Sequence, residues 1–303
     1  MRRVAVTGGS GKLGQAVVAE LLGADWEVFN FDQRAPAAPV CPFTRIDFTD
    51  YGPTVEALTG IDQLHSGVDA LVHLAAIPGA SYTAPSVTFA NNITSTYNVF
   101  AAAPLAGIKN IVWASSETLC GYPFDVAPPA VPLTEEMPPQ ANVTYALVKR
   151  LEQEMAVQYC RLDPDVKMTG LRYSYVTEES EYALLPGLQA DPAARRWNMW
   201  SYVDVRDVAR ATRLALERRA TGMDAIIVAA ADTVMQRPAW ELLAEFLPAT
   251  AVPADFGAHQ SVLSSAKAAR LLGYEPRYTW RELAGQRLLC PLKAEVEAID
   301  SLP

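Results

Sequence analysis

The stretch Val4-Ala5-Val6-Thr7-Gly8-Gly9-Ser10-Gly11-Lys12-Leu13-Gly14 constrains this chain more than any other. A short apolar run passes through a glycine-rich turn into helical spacing, which reads as strand, turn and helix. Such a turn sets backbone N–H groups at the positive end of a helix, where a pyrophosphate is held. Gly8 permits the tight turn, Gly11 lets backbone approach the phosphates, and Gly14 lets the helix pack on the strand. Lys12 and Leu13 open that helix. Asp32 ends the next strand, eighteen residues beyond Gly14, where a carboxylate accepts hydrogen bonds from both hydroxyls of an adenine ribose. A 2′-phosphate would meet that negative charge, so NAD rather than NADP is expected, with nearby Arg34 the one residue that would partner a phosphate. Asp47 and Phe48 after a third short strand are placed at the adenine, or else are a solvated turn and a core ring.

Around this start, short apolar strands at 4–7, 27–31, 70–74, 111–115, 168–172 and 225–228 alternate with helical periodicity at 13–22, 87–103, 145–161 and 205–218. Alternation of this kind builds parallel βαβ units. The expected fold is α/β, a doubly wound parallel (Rossmann) sheet with a small C-terminal substrate lobe. Residues 1–175, continued by 201–231, form the NAD-binding domain; 176–200 and 232–303 form the lobe. The proline-rich segment 125–140 reads as a long surface loop near the ligand edge.

Composition narrows the function. Half the 303 residues are apolar, enough for a large core, and the net charge of −9 lacks the basic excess that nucleic acid or an anionic membrane demands. Cys41, Cys120, Cys160 and Cys290 form no CxxC pair, and with three scattered histidines no metal site is expected. Neither a signal-like stretch nor a bilayer-spanning run is present, which places the chain in the cytoplasm.

Tyr145 and Lys149 stand at i and i+4, on one face of a helix. Ser115 and Ser116 end the preceding strand. A phenol titrates near 10, so service as a base near neutrality needs a drop of roughly 3 units, about 4 kcal/mol. A neighbouring ammonium and a nicotinamide cation push that way, and a Ser116 hydroxyl orients the reacting oxygen.

Taken with His73-Leu74-Ala75-Ala76, Asn92 to Val99, Ser115-Ser116-Glu117, Leu171-Arg172, Tyr202 to Ala209, and Ser265-Ala266-Lys267 running into Leu271 to Tyr274, these motifs resemble the extended or atypical short-chain dehydrogenase/reductases, the NAD-dependent epimerase/dehydratase family. The resemblance covers nearly the whole chain. It implies catalysis by Ser116, Tyr145 and Lys149, cofactor contacts from Leu74, Ala75, Ala76, Asn92 and Ser115, and Lys149 on the nicotinamide ribose. It also implies a homodimer through the helices at 87–103 and 145–161. His73 reads as a satisfied core residue, and Asn92 equally as a clamp on local backbone.

The same apparatus oxidises alcohols, epimerises through a transient ketone or dehydrates. Family dehydratases carry an acidic pair after the catalytic hydroxyl, whereas here Glu117 is followed by Thr118. The segment 176–200 is short for gripping a nucleotide diphosphate, and with Arg195 and Arg196 it resembles the uronate-dehydrogenase branch. An arginine fork suits a carboxylate, although the pair also fits a solvated turn. Glu117, Thr118, Tyr175, Arg195 and Arg196 are the expected substrate residues, with Trp197 and Trp200 as stacking rings or core. Oxidation of a sugar, sugar acid or similar polar alcohol is the first expectation. A nucleotide-sugar epimerase and a non-catalytic NAD sensor are the alternatives.

Overall fold

The computed structural model describes residues 2–282 apart from Ser81 and Asp125. Seven strands form one sheet: β1 (Arg2–Thr7), β2 (Trp26–Asp32), β3 (Phe43–Arg45), β4 (Ala70–His73), β5 (Asn110–Ser116), β6 (Lys167–Tyr173) and β9 (Gly222–Val228). Their order is β3-β2-β1-β4-β5-β6-β9, and every pairing is parallel. The order reverses at β1, so the crevice between the ends of β1 and β4 is the switch point where such sheets bind ligands. Two short strands, β7 (Val176–Thr177) and β8 (Val203–Asp204), pair separately.

Period-two alternation sends each strand's side chains to opposite faces. Val4, Val6, Val72, Val112 and Leu171 pack against α1 (Lys12–Gly23) and α6 (Val205–Glu217). Ala5, Leu71, Ile111, Trp113 and Met168 pack on the other face with α2 (Tyr51–Thr59), α3 (Pro85–Ala102) and α4 (Thr144–Leu162). Both faces are covered, which is why the strands read as continuous apolar runs. Within this layer Trp113 lies across Gly170, its partner on β6; a Cβ there would sit 2.5 Å from the indole.

Two of the helices start on side-chain caps. Asp50 and Asp204 cap α2 and α6 by accepting from Gly52 N and Arg206 N. At the other end of α6, buried Lys167 donates to the carbonyls of Ala215, Leu216 and Arg218 at 2.7–3.0 Å, capping a helix C-terminus with a cation.

The short α5 (Leu185–Ala190), α7 (Ala239–Phe246) and α8 (Ala266–Leu272) are the other α-helices among the described residues. A separate apolar cluster unites Cys120, Tyr122, Trp200, Tyr202, Leu242, Leu243 and Trp280 beyond the strand ends. The segment expected as a surface loop belongs to it. Val131 and Leu133 are buried, and their N–H groups donate to Ala251 O and Val262 O. The prolines deny that segment a regular ladder, yet its alternate apolar side chains still fill the lobe. Cys290 and the rest of 283–303 lie outside the described residues.

Trp113→Ala, which empties the layer between β5, β6 and α3, is expected to lower stability by about 3–5 kcal/mol, read as a fall in the urea midpoint with an unchanged slope.

Candidate active site

All the parallel strands end on the same edge, so Thr7, His73, Ser116 and Tyr173 arrive there together. The first component is the glycine turn. Gly8 has φ +71°, and a Cβ on it would stand 2.7 Å from Ala75 N; a Cβ on Gly14 would stand 2.1 Å from Gly8 O. Gly11 differs, because a Cβ there would meet only Gly8 O at 3.4 Å. Two glycines thus serve the protein's own packing, and the third leaves open space at the head of α1. That helix start has no side-chain cap and no acidic residue in its first turn, so its free N–H groups suit a diphosphate. The cradle fits a dinucleotide.

Asp32 stands at the end of β2, where its carboxylate accepts from Ser10 N and Arg34 N, both at 3.0 Å. Arg34 itself is exposed. Asn30, not foreseen as a site residue, donates to Ser10 Oγ from the same strand. Lys12 reaches away from the turn: its ammonium donates to Val176 O at 2.9 Å and pairs with Glu181, tying α1 to the lobe. Asp47 binds Thr49 through its N–H and hydroxyl, which pulls its carboxyl below the usual range. Phe48 is buried in the sheet core, edge-on to the His73 ring, rather than presented at the surface. Leu74, Ala75 and Ala76 are half-buried beside the glycine turn. Asn92 spends both ends of its amide on the backbone of Ile77, at 2.8 and 2.9 Å. It therefore fixes the loop after β4.

Tyr145, Lys149 and Ser116 come together. Ser116 lies close enough to the Tyr145 phenol to favour its ionised form, and Lys149 Nζ lies 5.7 Å from the centre of the same ring. Ser116 Oγ also accepts from Thr118 N at 3.1 Å and Thr118 Oγ1 at 3.0 Å. Ser115 Oγ is buried without a partner among the described residues. Burial pushes the phenol above its ordinary value, against the pull of Lys149, while Glu152 pushes it up and the nearby Ser116 hydroxyl pulls it down. The protein alone thus leaves the phenol high, opposite to the drop expected from the motif. The added cause is burial together with a carboxylate that the motif does not contain.

On the other side of Ser116, Glu117 is buried beneath the lobe. Its Oε2 accepts from Ser174 Oγ at 2.6 Å and its Oε1 from Asn198 Nδ2 at 3.1 Å. Both oxygens hold protein groups, so Glu117 positions the segment bearing Arg195. Burial pushes its carboxyl up to about 7, against opposing hydrogen bonds and the Arg195 charge. Arg195 stacks 4.2 Å over the exposed Tyr175 ring and donates to Asn198 Oδ1 and Ser201 O. Trp197, partly exposed, flanks it. Trp200 is core, with its indole N–H on Pro192 O. Arg196 is exposed and makes no ion pair among the described residues; the turn at 192–198 directs only one of the two arginines inward. No group of three or more His, Cys, Asp or Glu is placed to hold a metal among the described residues.

With this geometry in place, the comparisons with known proteins are decisive about kinship. The sequence model of the NAD dependent epimerase/dehydratase family matches residues 4–230. The chain belongs to that family, and NAD is its cofactor. It is 29% identical over 189 residues to UDP-glucose 4-epimerase 2 of Arabidopsis thaliana, covering 57% of this chain and 51% of that protein. It is 27% identical over 311 residues to UDP-glucose 4-epimerase of Corynebacterium glutamicum, covering 91% and 92%. The chain spans about half the length of most of the curated relatives it matches. Among solved structures, a UDP-galactose 4-epimerase superimposes with TM-score 0.67 at 26% identity, covering 94% of this chain and 99% of that one. A mutated uronate dehydrogenase shares the fold with TM-score 0.64 at 21% identity, covering 94% and 86%.

The position of Glu117 makes stability depend on pH. A carboxyl raised from 4.5 to about 7 favours its protonated form in the folded chain. Its contribution is therefore intact below about 4.5 and is lost as pH rises through about 7. Between about pH 5 and pH 8 the protein is expected to lose up to about 3 kcal/mol relative to Glu117→Gln, measured by paired urea titrations; parallel curves would contradict the burial effect.

Proposed function

We propose that this chain is an NAD-dependent oxidoreductase that takes a hydride from a hydroxyl-bearing carbon of a sugar, sugar acid or similar polar alcohol, with Tyr145 as acid/base. The observation that carries the reading is the meeting of Tyr145, Ser116 and Lys149 at the sheet edge that also holds the uncapped glycine turn. NAD, when bound, supplies the hydride acceptor and, in its oxidised form, a positive charge. Gly11, with the backbone of Lys12 and Leu13, holds its diphosphate in the turn that Gly8 and Gly14 shape; Asp32 takes the adenine ribose. Leu74, Ala75 and Ala76 line the cofactor's path, and Asn92 and Ser115 support it. Ser116 orients the substrate hydroxyl, whose proton passes to the Tyr145 oxygen while Lys149 stabilises the charge there. Of the described residues, those within 1–175 and 201–231 form the cofactor unit, apart from 125–140, which packs with those of 176–200 and 232–282 in the substrate lobe.

On the substrate side stand Thr118, bonded to Ser116, and Arg195, stacked on Tyr175. Arg195 is left with Nη1 unpartnered among the described residues, a donor for a carboxylate or hydroxyl. The epimerase reading draws on the names of the relatives. It would use the same Tyr145, with hydride returned to the opposite face. A panel of aldoses, uronic acids and UDP-sugars, followed by NAD reduction and by product stereochemistry, separates the two. Reduction with free sugars supports dehydrogenation, and turnover of UDP-sugars alone supports epimerisation.

The acidic chain favours a small-molecule partner over nucleic acid. No described helix is long and apolar enough to cross a membrane, and the described cysteines are free, which favours a reducing cytoplasm. Val87 and Tyr97 on α3 and Leu147 and Leu151 on α4 are exposed apolar side chains; packed against a second copy they would close a four-helix homodimer.

Tyr145→Phe is expected to lower kcat/KM by roughly 10²–10⁴-fold while leaving NAD affinity, by calorimetry, within a few-fold. An unchanged rate would remove the mechanism. Leu151→Glu is expected to halve the mass seen by light scattering.

A further inference from the structure

Lys149 sits in an unusual environment for a residue whose role is to carry charge to a phenol. It is 3% exposed, and its ammonium is surrounded by Ala114 O at 2.8 Å, Glu152 Oε2 at 2.9 Å and Glu152 Oε1 at 3.2 Å. Glu152, one turn further along α4, is completely buried. It also accepts from Thr96 Oγ1 on α3 at 3.0 Å. Thr96 contacts His73 Nε2 at 3.1 Å, and His73 Nδ1 contacts Thr7 Oγ1 at 2.8 Å.

The donors in this chain have one consistent direction. Thr7 Oγ1 accepts the N–H groups of Leu74 and Ala75, so both its lone pairs are used and its proton goes to His73 Nδ1. The neutral imidazole then carries its proton on Nε2 and donates to Thr96. Thr96 in turn donates to Glu152. Burial and the Lys149 charge push His73 down to about 3, which keeps it neutral. Every proton points toward Glu152, the arrangement an ionised carboxylate requires.

We propose that Glu152 is the positioning residue of the dyad: its buried carboxylate keeps Lys149 charged and fixed, so that the proton given up on activation comes from Tyr145. The inference rests on the catalytic reading of Tyr145 and Lys149 above and deepens it.

When phenol and ammonium together lose one proton, two forms of equal net charge compete. Phenolate beside ammonium is the competent base; phenol beside neutral amine is not. Burial alone would push the Lys149 ammonium down, but Glu152 and Tyr145 hold it above its ordinary value. Glu152 touches the ammonium, whereas Tyr145 lies seven residues back, about 10 Å along the helix axis. Its charge therefore favours the competent form. The other titratable groups facing the dyad are Glu117 from the turn after β5 and neutral His73 from β4. Neither touches the Lys149 ammonium.

The sign follows for Glu152→Gln. Removing a negative charge makes the pair lose its proton more readily, whichever site releases it, and shifts the loss toward lysine. In protein with ¹³C-labelled lysine, which has only six lysines, the Lys149 ¹³Cε resonance, assigned by Lys149→Met, should titrate about 1–2 pH units lower than in the parent. The acid limb of the kcat/KM profile should move to lower pH while its plateau falls about 10-fold or more, with NAD affinity within a few-fold. Glu152→Asp, which keeps the charge but withdraws it, should give smaller shifts in the same sense and serves where the glutamine variant does not fold. An unmoved Lys149 midpoint overturns the proposal, as does a lower plateau on an unshifted limb, the result of a purely structural role. The lysine titration needs no turnover, so it decides about Glu152 even if Tyr145→Phe stays active and the catalytic reading fails.

Discussion

The contact between Gly8 and Ala75, with Gly14 pressed against Gly8, is the constraint from which the rest of the site is built. A Cβ on Gly14 would stand far inside van der Waals contact with Gly8 O, so α1 reaches the sheet only because that atom is missing. Close approach brings the head of α1 to the ends of β1 and β4 with its N–H groups unspent. Thr7, the last residue of β1, then ties the Leu74 and Ala75 amides with its hydroxyl. Sterics in the turn thereby fix the entrance to the cofactor cleft and the start of the buried chain that reaches Glu152.

Polar groups on the catalytic side are organised by burial as much as by proximity. Tyr145, Lys149 and Glu152 share one helix, but Thr96 and His73 come from other elements, and each satisfies the next. Such a network is worth keeping only when complete, because a single unpaired member in a dry interior costs more than the network gains. Glu117 shows the same logic on the substrate side. It holds Ser174 and Asn198, and through Asn198 the stacked Arg195, so the carboxylate next to Ser116 acts by placing its neighbours.

Much of this was legible in the sequence. The glycine turn carries its own steric meaning, and buried parallel strands are apolar runs, so the parallel α/β class and the cofactor edge followed from the sequence almost directly. Tyr145 and Lys149 were legible because their spacing is helical and a serine-ended strand precedes them. Glu152 was not, because a carboxylate three residues after a lysine on a helix usually marks a solvated pair, and nothing local reveals that this face is covered by α3. Phe48 and Arg196 were left with two readings each for a related reason: a residue's type and turn position do not say which way its side chain leaves the backbone. α2 was missed because Gly52 and Pro53 sit in its first turn, where proline is tolerated. Val131 and Leu133 were hidden by surrounding prolines, since their partners, Ala251 and Val262, lie more than a hundred residues away.

Asp207, buried on α6, accepts the amides of Arg277 and Tyr278 at 2.8–3.0 Å. Two residues beyond Tyr278, the indole N–H of Trp280 donates to Thr233 O while its backbone N–H donates to the Tyr202 hydroxyl. The sheet can close as soon as β9 has been synthesised, but the lobe waits for a tryptophan some fifty residues later. During that interval the nascent chain would expose Tyr202, Leu242 and Leu243 together. The interval between β9 and Trp280 is therefore when the growing polypeptide would most need shielding from other chains.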